Sequence, residues 1–430
     1  MTQIDRAVGF LQGCGMYHGD VDALACTRRF LDDMEAGLAG RPSSLRMIPT
    51  FVEVETDIPL HRPVLAVDAG GTNLRVARVE FDEAGPRLSG FERHRMPGLD
   101  GEISAPAFFE ALAERVRPVA AGADRLGLSF SYPAEILPSR DGRILGLSKE
   151  LRVAGIAGQL VGAQLCQALH ATGVAGDLHF VVLNDTVGAL LAGRAARAGQ
   201  PAARQVGYVL GTGLNCAYVE DNGGIGKLPG LAAGRQVVNV EAGNWSGAPR
   251  GVIDRALDAQ SAEPGTYLLE KAVSGAYLGA LCLRTLRAAC DEGLFTTDAS
   301  ACLREWPRLG TPQLDPFLSA RPKPEGLAAE LSRRGTGQDL ALATALASAV
   351  VERAAQLAAV VLAAAVLRTQ GPGGPTVRAT VDGSTFYKLP TFRQRITSWV
   401  ERILAGRHAL EVVSVDHAAL VGAAVGGLTN

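Results

Sequence analysis

The chain has very few lysines: they stand only at 149, 227, 271, 323 and 388, and the rest of its 42 basic residues are arginine. With 44 acidic residues the net charge is −2, so there is no electrostatic reason to expect nucleic acid or an anionic membrane as a partner. The seven cysteines (14, 26, 166, 216, 282, 290 and 302) are odd in number and form no Cys-x-x-Cys pair. They read as reduced, mostly buried thiols of a cytoplasmic protein, which excludes a disulfide framework and the usual zinc spacings. Long apolar runs are missing too. The stretch Leu357 to Leu367 is too short to span a bilayer and reads as a buried helix. The N-terminus carries Asp5 and Arg6 and no long apolar stretch, so no secretory signal is expected.

The 430 residues, 47% of them hydrophobic, suffice for two core-sized domains. Two glycine-rich turns follow two separate apolar runs. One reads Val64-Leu65-Ala66-Val67-Asp68-Ala69-Gly70-Gly71-Thr72-Asn73-Leu74-Arg75, the other Val206-Gly207-Tyr208-Val209-Leu210-Gly211-Thr212-Gly213-Leu214-Asn215. Between them a third run ends in Asn184-Asp185-Thr186. Glycines bare the backbone N–H groups to an anion, and Thr and Asn add donors without bulk. Neither turn holds the lysine of a Walker loop, and neither opens a helix as a dinucleotide fingerprint does. Residues 74–81 are instead short and β-branched, so strand, glycine turn and strand make a hairpin able to cradle phosphate.

From about 64 to 184 strands alternate with helices, and a second α/β region starts near 186 with a helix at 187–198 and a strand at 206–210. Helical patterns follow at 266–289, 296–304 and 338–368, then a strand-turn at 377–384 and a Gly/Ala-rich helix at 420–428. The proline- and glycine-rich stretch 306–337 is expected to be a surface insertion. One phosphate-like hairpin per half hints at an ancient duplication, with a ligand cleft between the halves.

Phosphoryl transfer needs charge stabilisation, positioning and a base for the attacking hydroxyl. Asp185, just past an apolar strand, could be that base or could merely cap the helix after it. Asp68 could hold Mg²⁺, through water, beside Gly70, Gly71, Thr72 and Asn73 on the phosphates, or could bond its own turn. Thr212 and Gly213 would meet the phosphates from the other side. Asn215, Glu241 and Glu270 are candidates for gripping a neutral polyol.

Taken together, the motifs resemble the hexokinase family. They are Asp68-x-Gly70-Gly71-Thr72-Asn73-x-Arg75, Phe130-Ser131-Tyr132-Pro133, Ser148-Lys149, Asn184-Asp185-Thr186-Val187-Gly188, Gly211-Thr212-Gly213-x-Asn215, Asn239-x-Glu241, Glu270-Lys271-x-x-Ser274-Gly275, and Val381-Asp382-Gly383-Ser384, in the family's order. The lead-in from Ser43 to Val52 is similar as well. The resemblance implies a two-domain α/β fold of the actin-like ATPase (ribonuclease H-like) type. Its small domain would be 62–185 with a C-terminal helix, about 416–430, returning to it; 1–61 and 186–415 would form the large one. It implies a hexose, glucose foremost, phosphorylated at its 6-hydroxyl by ATP with Mg²⁺. Asp185 would be the general base, with Lys149 lending positive charge nearby. Ser131, Ser148, Lys149, Asn184, Asn215, Glu241 and Glu270 would cage the sugar. Asp68, Gly70, Gly71, Thr72, Asn73 and Arg75 would form the first phosphate site, Gly211, Thr212 and Gly213 the second, and Asp382, Gly383 and Ser384 part of the nucleotide pocket.

Some positions depart from the family. Leu214 stands where a small or polar residue is common, Ser148 replaces a Thr, and Ala242 replaces a large aromatic, which would strip bulk from the sugar pocket's wall. Asp416-His417-Ala418-Ala419 stands in place of the Asp-Gly-Ser-Gly of the adenosine site. A kinase for another hexose or an amino sugar, or a sugar-sensing regulator without catalysis, are the alternatives.

Overall fold

The computed structural model describes residues 2–147, 151–174, 177–195, 204–319, 324–369 and 374–430. Eleven strands among them build two large sheets: β1 (Ile48–Pro49), β2 (Val64–Ala69), β3 (Asn73–Asp82), β4 (Gly85–Arg95), β5 (Arg125–Phe130), β6 (His179–Leu183), β7 (Arg204–Leu210), β8 (Leu214–Asp221), β9 (Arg235–Asn239), β10 (Val377–Asp382) and β11 (Leu410–Val413). One sheet has the order β6-β5-β2-β3-β4 and the other β1-β9-β8-β7-β10-β11. Both follow one plan. An antiparallel meander (β2-β3-β4, β7-β8-β9) carries two strands parallel to its first (β5 and β6 on β2, β10 and β11 on β7). The hint of duplication in the two hairpins thus extends to the topology of both sheets.

The sequence explains the layering. All six residues of β2 are buried, as expected of an apolar strand inside a partly parallel sheet covered on both faces. Between the sheets lie two helices, α1 (Asp185–Ala195) and, at the C-terminus, a helix with the sequence AALVGAAVGGLT over Ala418–Thr429. Every residue of the latter is buried, and its small residues allow close backbone approach. A methyl added to Gly422 would lie 1.8 Å from the carbonyl oxygen of Gly188 in α1, and one added to Gly127 of β5 would lie 1.7 Å from that of Ala423. The glycines are therefore the crossing point through which one sheet rests on the other.

The other core is built around a second and third helix, α2 (Leu268–Val273) and α3 (Gly337–Thr369); the C-terminal helix is α4. With 33 residues α3 is long and apolar enough to cross a membrane, yet its most apolar window is 89% buried inside the protein, as a core helix should be. Residues 306–337 differ from the sequence expectation of a surface insertion. Short helices at Thr311–Leu314, Asp315–Leu318 and Gly326–Arg334 occur there, and Leu309, Leu314, Phe317, Leu327, Ala328 and Leu331 are buried in the α3 core. Pro312 and Pro316 occupy first-turn positions, where proline starts a helix rather than breaking one. All seven cysteines are free thiols.

Candidate active site

Parallel strands in one sheet end together, and ligands gather beyond their carboxyl ends. The register pairs Asp68 with Ser129 and Ser129 with Leu183, so the ends of β2, β5 and β6 deliver Asp68, Ser131 and Asn184-Asp185 to one edge. In the other sheet the ends of β7 and β10 deliver Gly211-Thr212-Gly213 and Asp382-Gly383-Ser384 in the same way, Val209 pairing with Asp382.

Asp185 is the first residue of α1, and the cap is made by its neighbour: Thr186 N–H donates to Asn184 Oδ1 at 2.9 Å. Asp185 is thereby left to face the crevice, steadied by the hydroxyls of Thr186 (3.2 Å) and Ser131. Burial, then the nearby charge of Asp68, pushes its pKa up to about 6. Asp68 is also pushed upward by burial, against the pull of Arg75, whose Nη1 lies 2.5 Å from Asp68 Oδ2 directly across the hairpin. The charge of Asp382 acts on Asp68 too, which places the ends of β2 and β10 near one another.

The polyol candidates form one network. Asn215 Nδ2 donates to Asn239 Oδ1 (2.8 Å), with longer contacts to Asn184 Oδ1 (3.4 Å) and Glu241 Oε1 (3.5 Å). Asn239 Nδ2 donates to Glu241 Oε1 at 3.0 Å. Glu241 itself is held in the left-handed conformation, φ 59° and ψ 48°, a strained choice for a residue with a Cβ. The Ala242 N–H to Asn215 Oδ1 bond (3.2 Å) helps enforce it. Glu270 enters from α2 and accepts from Leu214 N–H at 3.0 Å. Its burial, with the charges of Glu241 and Asp185 nearby, pushes its pKa up to about 7, and burial raises Glu241 as well. A cavity of about 160 Å³ lies in front, lined among others by Arg46, Ser131, Tyr132, Asn184, Glu241 and Tyr267. Four carboxylates thus converge on one crevice with their pKa values raised, a pattern that marks functional sites.

The first glycine turn closes with Gly70 N–H to Asn73 O at 3.0 Å and leaves Gly71 and Thr72 exposed. An open cavity of about 750 Å³ adjoins it, lined by Thr72, Asn73, Arg93, His94, Arg95 and Leu99. The second turn, 211–213, is locked from outside. Gly275 N–H and Ala276 N–H donate to the carbonyls of Gly211 (2.8 Å) and Thr212 (3.1 Å), and the Thr385 hydroxyl also donates to Gly211 O (2.8 Å). Gly383, at φ +121°, packs against Leu210 and Gly211. Asp382 accepts from Gly383 N–H at 2.6 Å.

Among known proteins, two hexokinase family models match the chain, one over residues 16–195 and the other over 205–429. The chain belongs to the hexokinase family. It is 27% identical to Hexokinase-1 of Schizosaccharomyces pombe over 93% of this chain and 86% of that one. To Hexokinase-2 of Homo sapiens it is 29% identical over 91% of its own length, but it spans only 45% of that protein. Among solved structures, the hexokinase of Schistosoma mansoni complexed with glucose superposes with a TM-score of 0.81 at 24% identity, covering 100% of this chain and 99% of that one. The hexokinase architecture is therefore the architecture here.

Within this hexokinase fold hydrogen bonds and neighbouring charges link Asp68, Ser131, Asn184, Asp185, Asn215, Glu241 and Glu270; Gly213 abuts Glu270, Thr72 and Asn73 line the second cavity, and Ser148 and Lys149 lie outside the described residues. Ala242 is fully buried in the α3 core with Trp245, whose indole N–H donates to Asp33. Sequence reasoning missed Asn239 as a participant, although the Asn-x-Glu spacing carried it. It also missed Arg93, whose Nε donates to Asn73 Oδ1 at 2.9 Å and for which no sequence signal stood out.

Proposed function

We propose that the chain transfers the terminal phosphoryl group of ATP to the 6-hydroxyl of a hexose, glucose foremost. The observation that carries this reading is the meeting of Asp185 with two glycine turns and an amide–carboxylate network in one crevice. Asp185, ionised, takes the proton of the attacking hydroxyl; the Ser131 and Thr186 hydroxyls hold the carboxylate in place. Asn184, Asn215, Glu241 and Glu270 fix the other hydroxyls, with Asn239 setting the orientation of Asn215 and Glu241. Hydrogen bonds to charged groups contribute roughly 1.5–3 kcal/mol each, so a few suffice to select one stereoisomer. The exposed amides of Gly71 and Thr72 and the turn at 211–213 hold the donor phosphates, and Arg93 and Arg95 give the adjoining cavity a basic lining.

Mg²⁺ suits this donor set. Among the described residues no group of three His, Cys, Asp or Glu could hold a metal by itself, and an ion carried by phosphates needs only one or two carboxylates. Asp68 is the carboxylate offered. Bound there, the ion would neutralise charge building on the phosphate oxygens. We further propose that residues 62–185 with 416–430 form one lobe and 1–61 with 186–415 the other. Their closure on sugar would keep water, a smaller nucleophile, from the phosphoryl group.

The test is ADP release from MgATP with and without glucose, repeated with mannose, fructose and glucosamine. Sugar-dependent release with glucose ranked first is expected. Release with another sugar first would reassign the substrate, and binding without turnover, whatever the phosphate donor, would favour a sensor.

A further inference from the structure

We infer that Tyr132 is a positioning residue that ties sugar occupancy to the presentation of the first phosphate turn; this rests on the sugar and phosphate sites proposed above. Tyr132 lines the sugar-sized cavity, and its ring is buried against Phe130, centroids 5.0 Å apart. Its hydroxyl points the other way. It donates to Gly70 O at 2.9 Å and lies 3.3 Å from Gly71 O.

Those two carbonyls matter because a peptide unit is planar and trans. The Gly70 carbonyl shares its plane with the N–H of Gly71, and the Gly71 carbonyl shares its plane with the N–H of Thr72. Holding the oxygens on the Tyr132 side therefore turns both N–H groups to the opposite side. These are the amides that the exposed turn offers to an anion. A turn of two adjacent glycines has little steric reason to keep one peptide orientation, and a methyl added to Gly71 would meet no atom within 4 Å. The Tyr132 hydroxyl supplies the orientation that packing does not.

The other end of the link is the sugar side. Ser131, one residue before Tyr132, donates its N–H to Ala69 O at 3.1 Å and its hydroxyl to Asp185. Residues 130–133 thus touch the base, the sugar cavity and the turn within a single short segment. A sugar that settles this segment settles the phosphate amides with it.

The experiment compares wild type with Tyr132→Phe, which keeps the ring and removes only the hydroxyl. Four quantities are read: glucose Kd without nucleotide, KM for MgATP at saturating glucose, kcat, and thermal midpoint. The expected result is a MgATP KM raised about five- to tenfold, the scale of one lost hydrogen bond. Glucose Kd should stay within twofold, and the gain in nucleotide affinity produced by a non-phosphorylatable sugar analogue should shrink towards one. Unchanged nucleotide KM and unchanged coupling would overturn the inference while leaving the kinase reading intact. Equal losses in glucose and nucleotide affinity, with a lowered midpoint, would overturn it as well, since they report packing. A wild type without sugar-dependent ADP release would remove the kinase reading and the inference with it.

Discussion

A methyl group added to Gly71, in the β2–β3 turn, would meet no atom within 4 Å, whereas one added to Gly213, in the β7–β8 turn, would lie 2.6 Å from a Glu270 carboxylate oxygen. The two turns share glycines and a threonine and follow equivalent strands, yet their glycines answer different demands. In the first, glycine leaves the backbone bare for a ligand. In the second, glycine lets three other segments, at 270, 275 and 383, close onto the turn. The first turn is open and its orientation rests on a few hydrogen bonds; the second is assembled by packing and abuts Glu270, whose carboxylate also accepts from Leu214 N–H.

Substitutions at the two turns should therefore fail differently. The largest loss of folding is expected from Gly383→Ala, whose Cβ would sit 2.3 Å from the Leu210 carbonyl carbon at φ +121°. Strain and overpacking together should cost about 2–5 kcal/mol, read as a lower urea midpoint. A midpoint equal to wild type would mean that the second turn is not locked by packing.

Glu270→Gln tests the link between that turn and the sugar. Sugar KM should rise roughly 10–100-fold, the cost of a hydrogen bond to a charged group. Activity has a predictable pH profile. Asp185 works ionised and is raised to about 6, with Glu270 raised to about 7. kcat/KM should thus fall as pH drops through 7 to 6, with apparent values belonging to the coupled pair. Glu270→Gln removes the group raised to about 7, so the acid limb should then follow Asp185 alone, near 6; an unmoved limb would mean that Glu270 takes no part in it. The sign for folding is opposite. Carboxyls raised in the folded state stabilise it below their unfolded values, and that contribution is lost as pH rises through 6 to 7. The smallest effect on folding is expected at Gly71→Ala: a midpoint shift within about 0.5 kcal/mol, with a raised MgATP KM. A large loss of stability there would contradict the open reading of the first turn.

Much of this was legible in the sequence, because glycine, threonine and asparagine after an apolar run have few structural uses. The Asn-Asp pair was ambiguous until the fold assigned the cap to Asn184 and left Asp185 to the crevice. Other features needed three dimensions. Asn239 matters because β9 lies beside β8, where Asn215 sits in the same sheet. Tyr132 matters because its hydroxyl reaches carbonyls sixty residues away in the chain. Residues 306–337 were misread because prolines in helix first turns look like loop signals.

The most direct test of the account is Asp185→Asn, assayed for ADP release at saturating glucose and MgATP alongside glucose binding. The account predicts a kcat lower by roughly 10²–10⁴-fold, the share of a general base, with glucose Kd changed only a few-fold. Turnover near that of wild type would contradict it.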